Sequence, residues 1–167
     1  MDWTALKKFV PPNIAWKIPF DNPACPLNGR DVYKALSPHK VIVMACNIRI
    51  PSVIPGIMKA AQELNSVVAF ELAKTEGNID GGYTGMTPEI FANTILTYAW
   101  KVQFAQPFLI HGDHITVKNT SPKEIDAIPK EYAEKIERAA YQEALQLLRA
   151  FRAEGTAKIV ADYLVKA

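Results

Sequence analysis

Three short runs of consecutive apolar residues, rich in β-branched side chains, recur along the chain: residues 40–46 (KVIVMAC), 66–72 (SVVAFEL) and 107–111 (PFLIH). Such runs predict strands that are buried on both faces of a sheet. Between the runs, residues 52–64 carry apolar side chains at helical spacing, and Thr87-Pro88-Glu89 opens a second helix that extends to about Val102. The order βαβαβ predicts a parallel sheet with right-handed crossover helices, which is an α/β fold.

The segment that precedes the first run is irregular. Five prolines interrupt residues 10–30, and we expect an ordered N-terminal arm there, held by the apolar side chains of Trp16, Ile18 and Phe20. A short helix over Asp31–Leu36 follows and stops before Pro38.

After Pro129 the pattern becomes wholly helical. The apolar face of a long helix is formed by Tyr132, Ile136, Ala140, Leu145, Leu148 and Phe151. We expect Gly155 to end this helix and Thr156 to cap a last one. The chain is therefore predicted to be a single domain, with an N-terminal arm and short helix (1–39), a βαβαβ core (40–120) and C-terminal helices (121–167).

Composition and charge narrow the function classes. The chain has 167 residues, 49% of them hydrophobic, and its formal net charge is only +2, which predicts no nucleic-acid partner. No apolar run is long enough to span a bilayer, so no membrane partner is expected. The two cysteines, Cys25 and Cys46, fit a reducing cytoplasm rather than a disulfide framework.

The strongest chemical signal is His111-Gly112-Asp113-His114, which ends the third predicted strand. Functional groups of parallel α/β folds gather at the carboxyl ends of strands, and two imidazoles beside a carboxylate suit metal binding and proton transfer. Strand periodicity places His111 and Asp113 on one face and His114 on the other, unless a turn at Gly112 brings them together. The alternative is a polar strand end that only hydrogen-bonds a neighbouring loop.

Two further features have a functional and a structural interpretation. Glu71 lies inside an apolar run and needs a partner, for which Lys74 or Arg49 is available; a structural ion pair is the simpler explanation. The glycine-rich loop 77–86 (GNIDGGYTGM) follows a strand and precedes a helix, where backbone amides can hold an anion, but spacing alone favours a flexible turn. The chain has no HExxH, GxSxG or zinc-ribbon spacing.

Two motifs carry a family resemblance. PFLIHGDHITV, with its HxDH pattern, resembles the third-strand signature of class II, metal-dependent ketose-bisphosphate aldolases, and GGYTGMTP at residues 81–88 resembles a run in the Z-type accessory subunit of tagatose-bisphosphate aldolase. The resemblance covers about residues 40–120 and implies part of a (β/α)₈ barrel, here with three parallel strands. The implied reaction of carbohydrate metabolism, glycolysis included, is the reversible aldol cleavage of a ketose bisphosphate, with fructose 1,6-bisphosphate as the first expected substrate, to dihydroxyacetone phosphate and an aldehyde phosphate.

The resemblance also implies roles for individual residues. Asp113 matches the proton-transfer carboxylate, His114 matches a ligand of Zn²⁺ or another divalent metal, and His111 is a supporting residue. Weaker candidates for contact with substrate or its phosphates are Asn47, Glu71, Gly81 and Gly82. A zinc lyase needs further histidine ligands, yet the sequence has three histidines in total and none follows His114.

Three explanations of this departure stay open. The chain is a truncated or internally deleted aldolase, or half of a split barrel that a partner completes, or a non-catalytic accessory subunit. The unfinished sheet also predicts self-association, because a parallel sheet with open edges needs cover.

Overall fold

A computed structural model describes residues 3–114 and 133–166 of the chain. Its strands are β1 (Cys25–Pro26), β2 (Met44–Asn47), β3 (Val68–Ala73) and β4 (Pro107–Asp113). Its α-helices are α1 (Pro12–Ala15), α2 (Gly29–Leu36), α3 (Ile54–Leu64), α4 (Pro88–Lys101), α5 (Ala133–Ala150) and α6 (Thr156–Lys166), and short 3-10 helices cover Thr4–Phe9 and Pro51–Val53.

The four strands form one parallel sheet in the order β1-β4-β3-β2. The three predicted strands lie side by side in chain order, as in part of a (β/α)₈ barrel, so the predicted α/β class and parallel pairing are confirmed. The predicted helices between them are present, and Thr87 caps α4 by accepting a hydrogen bond from the Ile90 amide. The short helix predicted after the arm is also present and begins two residues early, at Gly29.

Strand β2 corrects the first strand prediction. It begins at Met44 rather than at residue 40, and its burial alternates, whereas all six residues of β3 are buried. The prediction of burial on both faces was wrong for this run because β2 is an edge strand. Ile42, just before it, is 57% exposed.

Both faces of the sheet are covered by helices. On one face, Phe70 and Phe108 belong to a core cluster with residues of α3, α4 and α5. On the other, Ala69 and Leu109 belong to a second cluster with the 3-10 helix Thr4–Phe9, α2 and α6. The alternation of side chains along β3 and β4 assigns successive residues to the two clusters.

The N-terminal arm is ordered, but its predicted anchors were partly wrong. Trp16 is 73% exposed and Phe20 is fully exposed, and only Ile18 of the three packs against the core. Leu6, on the 3-10 helix Thr4–Phe9, and Cys25 are buried instead. Cys25 belongs to β1, which pairs with β4 out of chain order. The arm thus contributes a fourth, two-residue strand that the apolar pattern did not reveal.

The C-terminal helices are present, with different ends. Helix α5 stops at Ala150, five residues before Gly155. Thr156 is the first residue of α6, and its hydroxyl accepts a hydrogen bond from the Val67 amide at 2.8 Å, so it binds the entry to β3 rather than capping its own helix.

Part of the predicted C-terminal pattern lies outside the described residues, namely Tyr132, the Ile136 side chain and the boundary between residues 120 and 121. The three-part division of the chain therefore stays a prediction. Within residues 3–114 and 133–166, no helix combines the length and apolar character that crossing a bilayer requires.

Candidate functional site

The candidate residues meet at the carboxyl ends of β2, β3 and β4. In the register of the sheet, Asn47 is opposite Glu71, and Glu71 is opposite His111. Asp113 lies two residues beyond His111, so its side chain leaves the same face. The structure therefore brings together Asn47, Glu71, His111 and Asp113, at the edge where parallel sheets carry their functional groups.

The side chains of Asp113 and His114 come together, but through a bend at His114 rather than a turn at Gly112. Strand β4 continues through Gly112 to Asp113, so Gly112 is not a turn. His114 instead adopts a left-handed backbone, with φ of 45°, and this bend brings its Nδ1 to 2.5 Å from Asp113 Oδ1. The imidazole remains largely exposed, with 87% of its side-chain surface accessible.

Asp113 is also hydrogen-bonded to a residue of β2, which lies two strands away in the sheet. Asn47 Nδ2 donates to Asp113 Oδ2 at 3.1 Å. This hydrogen bond, followed by the contacts with His114, holds the pKa of Asp113 below its usual value. Both carboxylate oxygens of Asp113 are thus engaged by neighbours in the same chain.

Glu76, which the sequence analysis did not single out, is the most connected carboxylate of the site. Its side chain is 2% exposed. It accepts hydrogen bonds from Arg49 Nε at 2.8 Å, the Ala73 amide at 3.0 Å, Asn47 Nδ2 at 3.2 Å and the Tyr83 hydroxyl at 3.2 Å. Burial by itself would raise the pKa of Glu76, but the bonds from Arg49, Ala73 and Asn47 outweigh burial and lower it.

Glu71 is partnered by His111, which was not among the candidates Lys74 and Arg49 that the sequence suggested. Its Oε1 lies 2.8 Å from His111 Nδ1, whereas Arg49 pairs with Glu76. The approach of His111 Nδ1 does not meet the geometry of a hydrogen bond, so the two groups are in close polar contact without one. Burial, with the nearby carboxylates of Asp113 and Glu76, raises the pKa of Glu71, and the two histidines oppose that rise.

Tyr33, on α2, completes this side of the site. Its hydroxyl is 3.1 Å from His111 Nε2, so Tyr33, His111 and Glu71 form a continuous chain of polar contacts. Burial and the charge of Glu71 raise the pKa of Tyr33. Sequence reasoning missed Tyr33 because α2 precedes the βαβαβ core and only the packing of α2 on the sheet brings it there.

The glycine-rich loop is organised around Glu76. The Thr84 hydroxyl donates to the Glu76 carbonyl at 2.6 Å, and Gly77 bridges to Met86. Gly82 has φ of 55°, and a Cβ there would lie 2.4 Å from the Glu76 carbonyl oxygen, so glycine is required. Gly81 also has a positive φ, of 99°. These bonds give the loop a defined conformation, and its use as an anion site stays a prediction.

Of the described residues, His114 is the one that the resemblance assigns to a metal ion. Among residues 3–114 and 133–166, no three His, Cys, Asp or Glu side chains lie close enough together to hold a metal ion. His114, the predicted ligand, contacts Asp113 through Nδ1, which leaves its Nε2 available, and a catalytic zinc ion needs about three protein ligands. Zinc therefore stays a prediction from resemblance, and no chemical step is derived through it.

The sequence also matches a known protein family. The family model GatZ/KbaZ-like, described as D-tagatose-1,6-bisphosphate aldolase subunit GatZ/KbaZ-like, matches residues 32–166. The D-tagatose-1,6-bisphosphate aldolase subunits GatZ of Escherichia coli and of Shigella boydii serotype 18 are each 29% identical over 125 residues, or 74% of this chain and 27% of theirs. The chain thus spans about a quarter of the length of these relatives.

A solved structure gives a weaker likeness. The match with a probable tagatose 6 phosphate kinase from Sinorhizobium meliloti 1021 has a TM-score of 0.43 and 29% sequence identity, and it covers 61% of this chain and 26% of that one.

Proposed function

The chain belongs to the GatZ/KbaZ-like family of D-tagatose-1,6-bisphosphate aldolase subunits, and from this we propose that it is a non-catalytic accessory subunit of an aldolase. Its partner would be a class II aldolase subunit that carries the metal and cleaves a ketose bisphosphate. The family favours tagatose 1,6-bisphosphate as the substrate of the complex, and fructose 1,6-bisphosphate is the alternative.

The observation that carries this proposal is the state of Asp113. One of its oxygens contacts His114 and the other accepts from Asn47, and its pKa is lowered. A carboxylate that transfers a proton needs an oxygen free to reach the substrate, and both oxygens of Asp113 are occupied by partners in the same chain. The same contacts are well suited to a rigid strand end.

The donor set supports the same conclusion. Both ring nitrogens of His111 contact neighbours, Glu71 and Tyr33, whereas His114 contacts Asp113 through Nδ1 and offers Nε2 as one metal ligand; the sequence has no histidine after His114. A catalytic zinc site built by this chain would have to find its other ligands among carboxylates and cysteines. A subunit that lends structural support to a catalytic partner needs none of them.

A mixing experiment tests the proposal. The purified chain would be assayed for cleavage of tagatose and fructose 1,6-bisphosphates with added Zn²⁺, alone and with a class II tagatose-bisphosphate aldolase catalytic subunit. Dihydroxyacetone phosphate would be followed by a coupled reductase. We expect no turnover by the chain alone, formation of a complex by size-exclusion chromatography, and higher or longer-lived activity of the catalytic subunit in that complex.

Asp113→Asn separates the accessory function from catalysis by this chain. The substitution keeps the shape of the side chain, so under the proposal it leaves the activity of the mixture within about twofold. Turnover by the chain alone that requires zinc and falls about a hundredfold or more in Asp113→Asn would instead establish the chain as an aldolase, since loss of a general acid or base costs about that much.

A further inference from the structure

Large apolar side chains lie exposed where the N-terminal arm contacts α4. Trp16 and Phe20 are in solvent, Trp100 near the end of α4 is 46% exposed, and Pro19 is exposed as well. We refer to these four residues, Trp16, Pro19, Phe20 and Trp100, as the arm–α4 face. Single exposed apolar residues are common on proteins, whereas a group of them marks a surface that binds something apolar.

Two clefts make the arm–α4 face continuous, and Pro19 lines both of them. One cleft, of about 330 Å³, also includes Phe20, and the other, of about 410 Å³, extends from Pro19 to Trp100. Lys17 lines the second cleft and places its ammonium 4.2 Å from the centroid of the Trp16 ring. The three aromatic rings therefore belong to one surface rather than to three isolated positions.

The arm is fixed to α4 beneath this surface. Asn22 Nδ2 donates to the Leu96 carbonyl of α4 at 3.1 Å, and Lys17 pairs with Glu89 at the start of the same helix, at 2.5 Å. The Lys7 ammonium donates to the Asn22 carbonyl at 3.0 Å, which joins the 3-10 helix Thr4–Phe9 to the arm. These contacts hold the arm in place before a partner binds, and such preorganisation lowers the entropic cost of binding.

The apolar area of the arm–α4 face suits a protein partner. At their observed exposures, the three aromatic rings offer roughly 500 Å² of accessible surface, because a whole aromatic side chain presents about 150–250 Å². This is about the size of the largest apolar patch on a typical monomer, which is often functional. A stable interface buries about 800 Å² on each partner, so the rings supply its apolar centre and the surrounding polar residues supply its rim.

The sheet is less accessible to a partner. Both of its faces are covered by helices of this chain, and β1 occupies the edge beside β4. The edge on the other side is β2, with four residues, and Ile42 just before it donates its amide to the Phe151 carbonyl. A partner that completes a barrel would have to displace this cover, whereas the arm–α4 face is accessible as it stands.

The charge of the arm–α4 face distinguishes between partners. Lys7 and Lys17 line the two clefts, and among the described residues no acid lines either of them. Glu89 neutralises Lys17. Asp21 and Lys101, both exposed and next in sequence to members of the face, balance each other. The face is therefore left with the positive charge of Lys7, which opposes a second copy of the same face and favours an acidic rim on a different protein.

We propose that the arm–α4 face is the surface through which this chain binds a catalytic aldolase subunit, an inference that rests on the accessory function proposed above. The partner surface would carry an apolar recess that receives Trp16 and Phe20, with acidic side chains around it that approach Lys7. In the isolated chain both rings are in solvent, so their substitution should weaken binding without affecting folding.

Titration of the catalytic subunit with variants of the intact chain tests this proposal. A class II tagatose-bisphosphate aldolase catalytic subunit would be titrated by isothermal calorimetry with the wild type, Trp16→Ser and Phe20→Ser. We expect each variant to bind about tenfold more weakly or worse, as for aromatic residues at the centre of an interface. The affinity of the wild type should fall as sodium chloride is added. Circular dichroism would verify that the variants are folded.

Ile42→Ser is the matched control. Ile42 is also an exposed apolar residue, but it precedes β2, at the opposite edge of the sheet from β1, into which the arm leads. This variant should bind as the wild type does. A photo-reactive amino acid that replaces Phe20 should cross-link to the catalytic subunit, and the same amino acid in place of Ile42 should not.

The outcomes separate this inference from the function on which it rests. If the wild-type chain does not bind the catalytic subunit, the accessory function is overturned and this inference with it. If the wild type binds and Trp16→Ser and Phe20→Ser bind equally well, this inference alone is overturned. It is also overturned by loss of binding in Ile42→Ser, which would assign the partner to the β2 edge. A dimer of the isolated chain that Phe20→Ser dissociates would overturn it too, since the face would then belong to a second copy.

Discussion

Asn47 on β2 and Asp113 on β4 are hydrogen-bonded to each other across the strand that separates them, with 3.1 Å between Nδ2 and Oδ2. Asn47 is in register with Glu71 of β3, and Asp113 is in register with Ala73, so the bond crosses β3 diagonally. The same Asn47 nitrogen donates to Glu76, so one amide joins two carboxylates from different elements. The strand ends are therefore held together by side chains as well as by the sheet.

This relationship predicts how Asp113 titrates. Asn47→Leu removes the donor at similar size, so the pKa of Asp113 should rise toward its ordinary value, because the hydrogen bond that favours the charged carboxylate is lost. Carboxyl ¹³C chemical shifts, followed by NMR through acid pH, would measure the change. Asn93→Leu, at an exposed position of α4, is the control. An unchanged Asp113 titration in Asn47→Leu would show that His114 alone sets it.

Glu76 predicts a pH dependence of stability. Its pKa in the folded chain is below the ordinary 4.5, so its charged form stabilises the fold above that pH. This stabilisation is lost as the pH falls through the lower folded-state pKa. Glu76→Gln should lower the free energy of unfolding at neutral pH by about 1–3 kcal/mol, since Arg49 and three other donors lose a charged acceptor.

Urea unfolding at a series of pH values checks this prediction. The wild type should lose stability steeply below about pH 4.5, and Glu76→Gln should lose less over the same range. Glu154→Gln, at an exposed glutamate of the α5–α6 connection, should follow the wild-type curve. Parallel curves for the wild type and Glu76→Gln would assign the acid sensitivity to other carboxylates.

At Gly56, helices α3 and α5 pack so closely that there is no room for a larger side chain. A Cβ at this position would lie 2.3 Å from the Glu137 carbonyl oxygen and 2.8 Å from the Tyr141 amide nitrogen. Both atoms are backbone, so the helices would have to separate. Gly56→Ala should therefore destabilise the chain by about 1–3 kcal/mol in thermal or urea unfolding.

Gly29 provides the matched control for Gly56. It begins α2, and a Cβ there would meet only the Tyr33 ring, at an ordinary 3.5 Å. Gly29→Ala should be neutral or slightly stabilising, because alanine favours the helix. Equal stability of both variants would mean that α3 and α5 pack less closely than the structure has them.

In the N-terminal arm, we expect substitutions of exposed and of buried apolar residues to differ in their effect on stability. Trp16→Ser and Phe20→Ser should leave the unfolding midpoint almost unchanged, because both side chains are already in solvent. Leu6→Ala, at a residue that is 1% exposed, should cost about 2–4 kcal/mol. Thermal unfolding of the three variants measures the contrast. A large loss in Phe20→Ser would show that its ring is buried in solution, for example against a second molecule.

Local sequence was sufficient for the elements whose causes are local. The apolar run 66–72 predicted β3, which is buried throughout, and Thr87 with Pro88 predicted the start of α4. The placement of His111 and Asp113 at a strand end also followed from the pattern, since β4 ends at Asp113. Chain neighbours alone determine where such strands and helix caps form.

Other features depended on residues far apart in the chain. The sequence could not show that β1 pairs beside β4, that Trp16 and Phe20 face solvent, or that Glu76 collects Arg49 and Asn47. Nor could periodicity place His114 against Asp113, because that contact depends on one left-handed residue after the strand. The apolar pattern by itself determined the βαβαβ core and the end of the sheet where its polar groups lie. The tertiary structure decided which of those groups are in contact. The packing of the strands and helices brings together charged side chains that are far apart in the sequence.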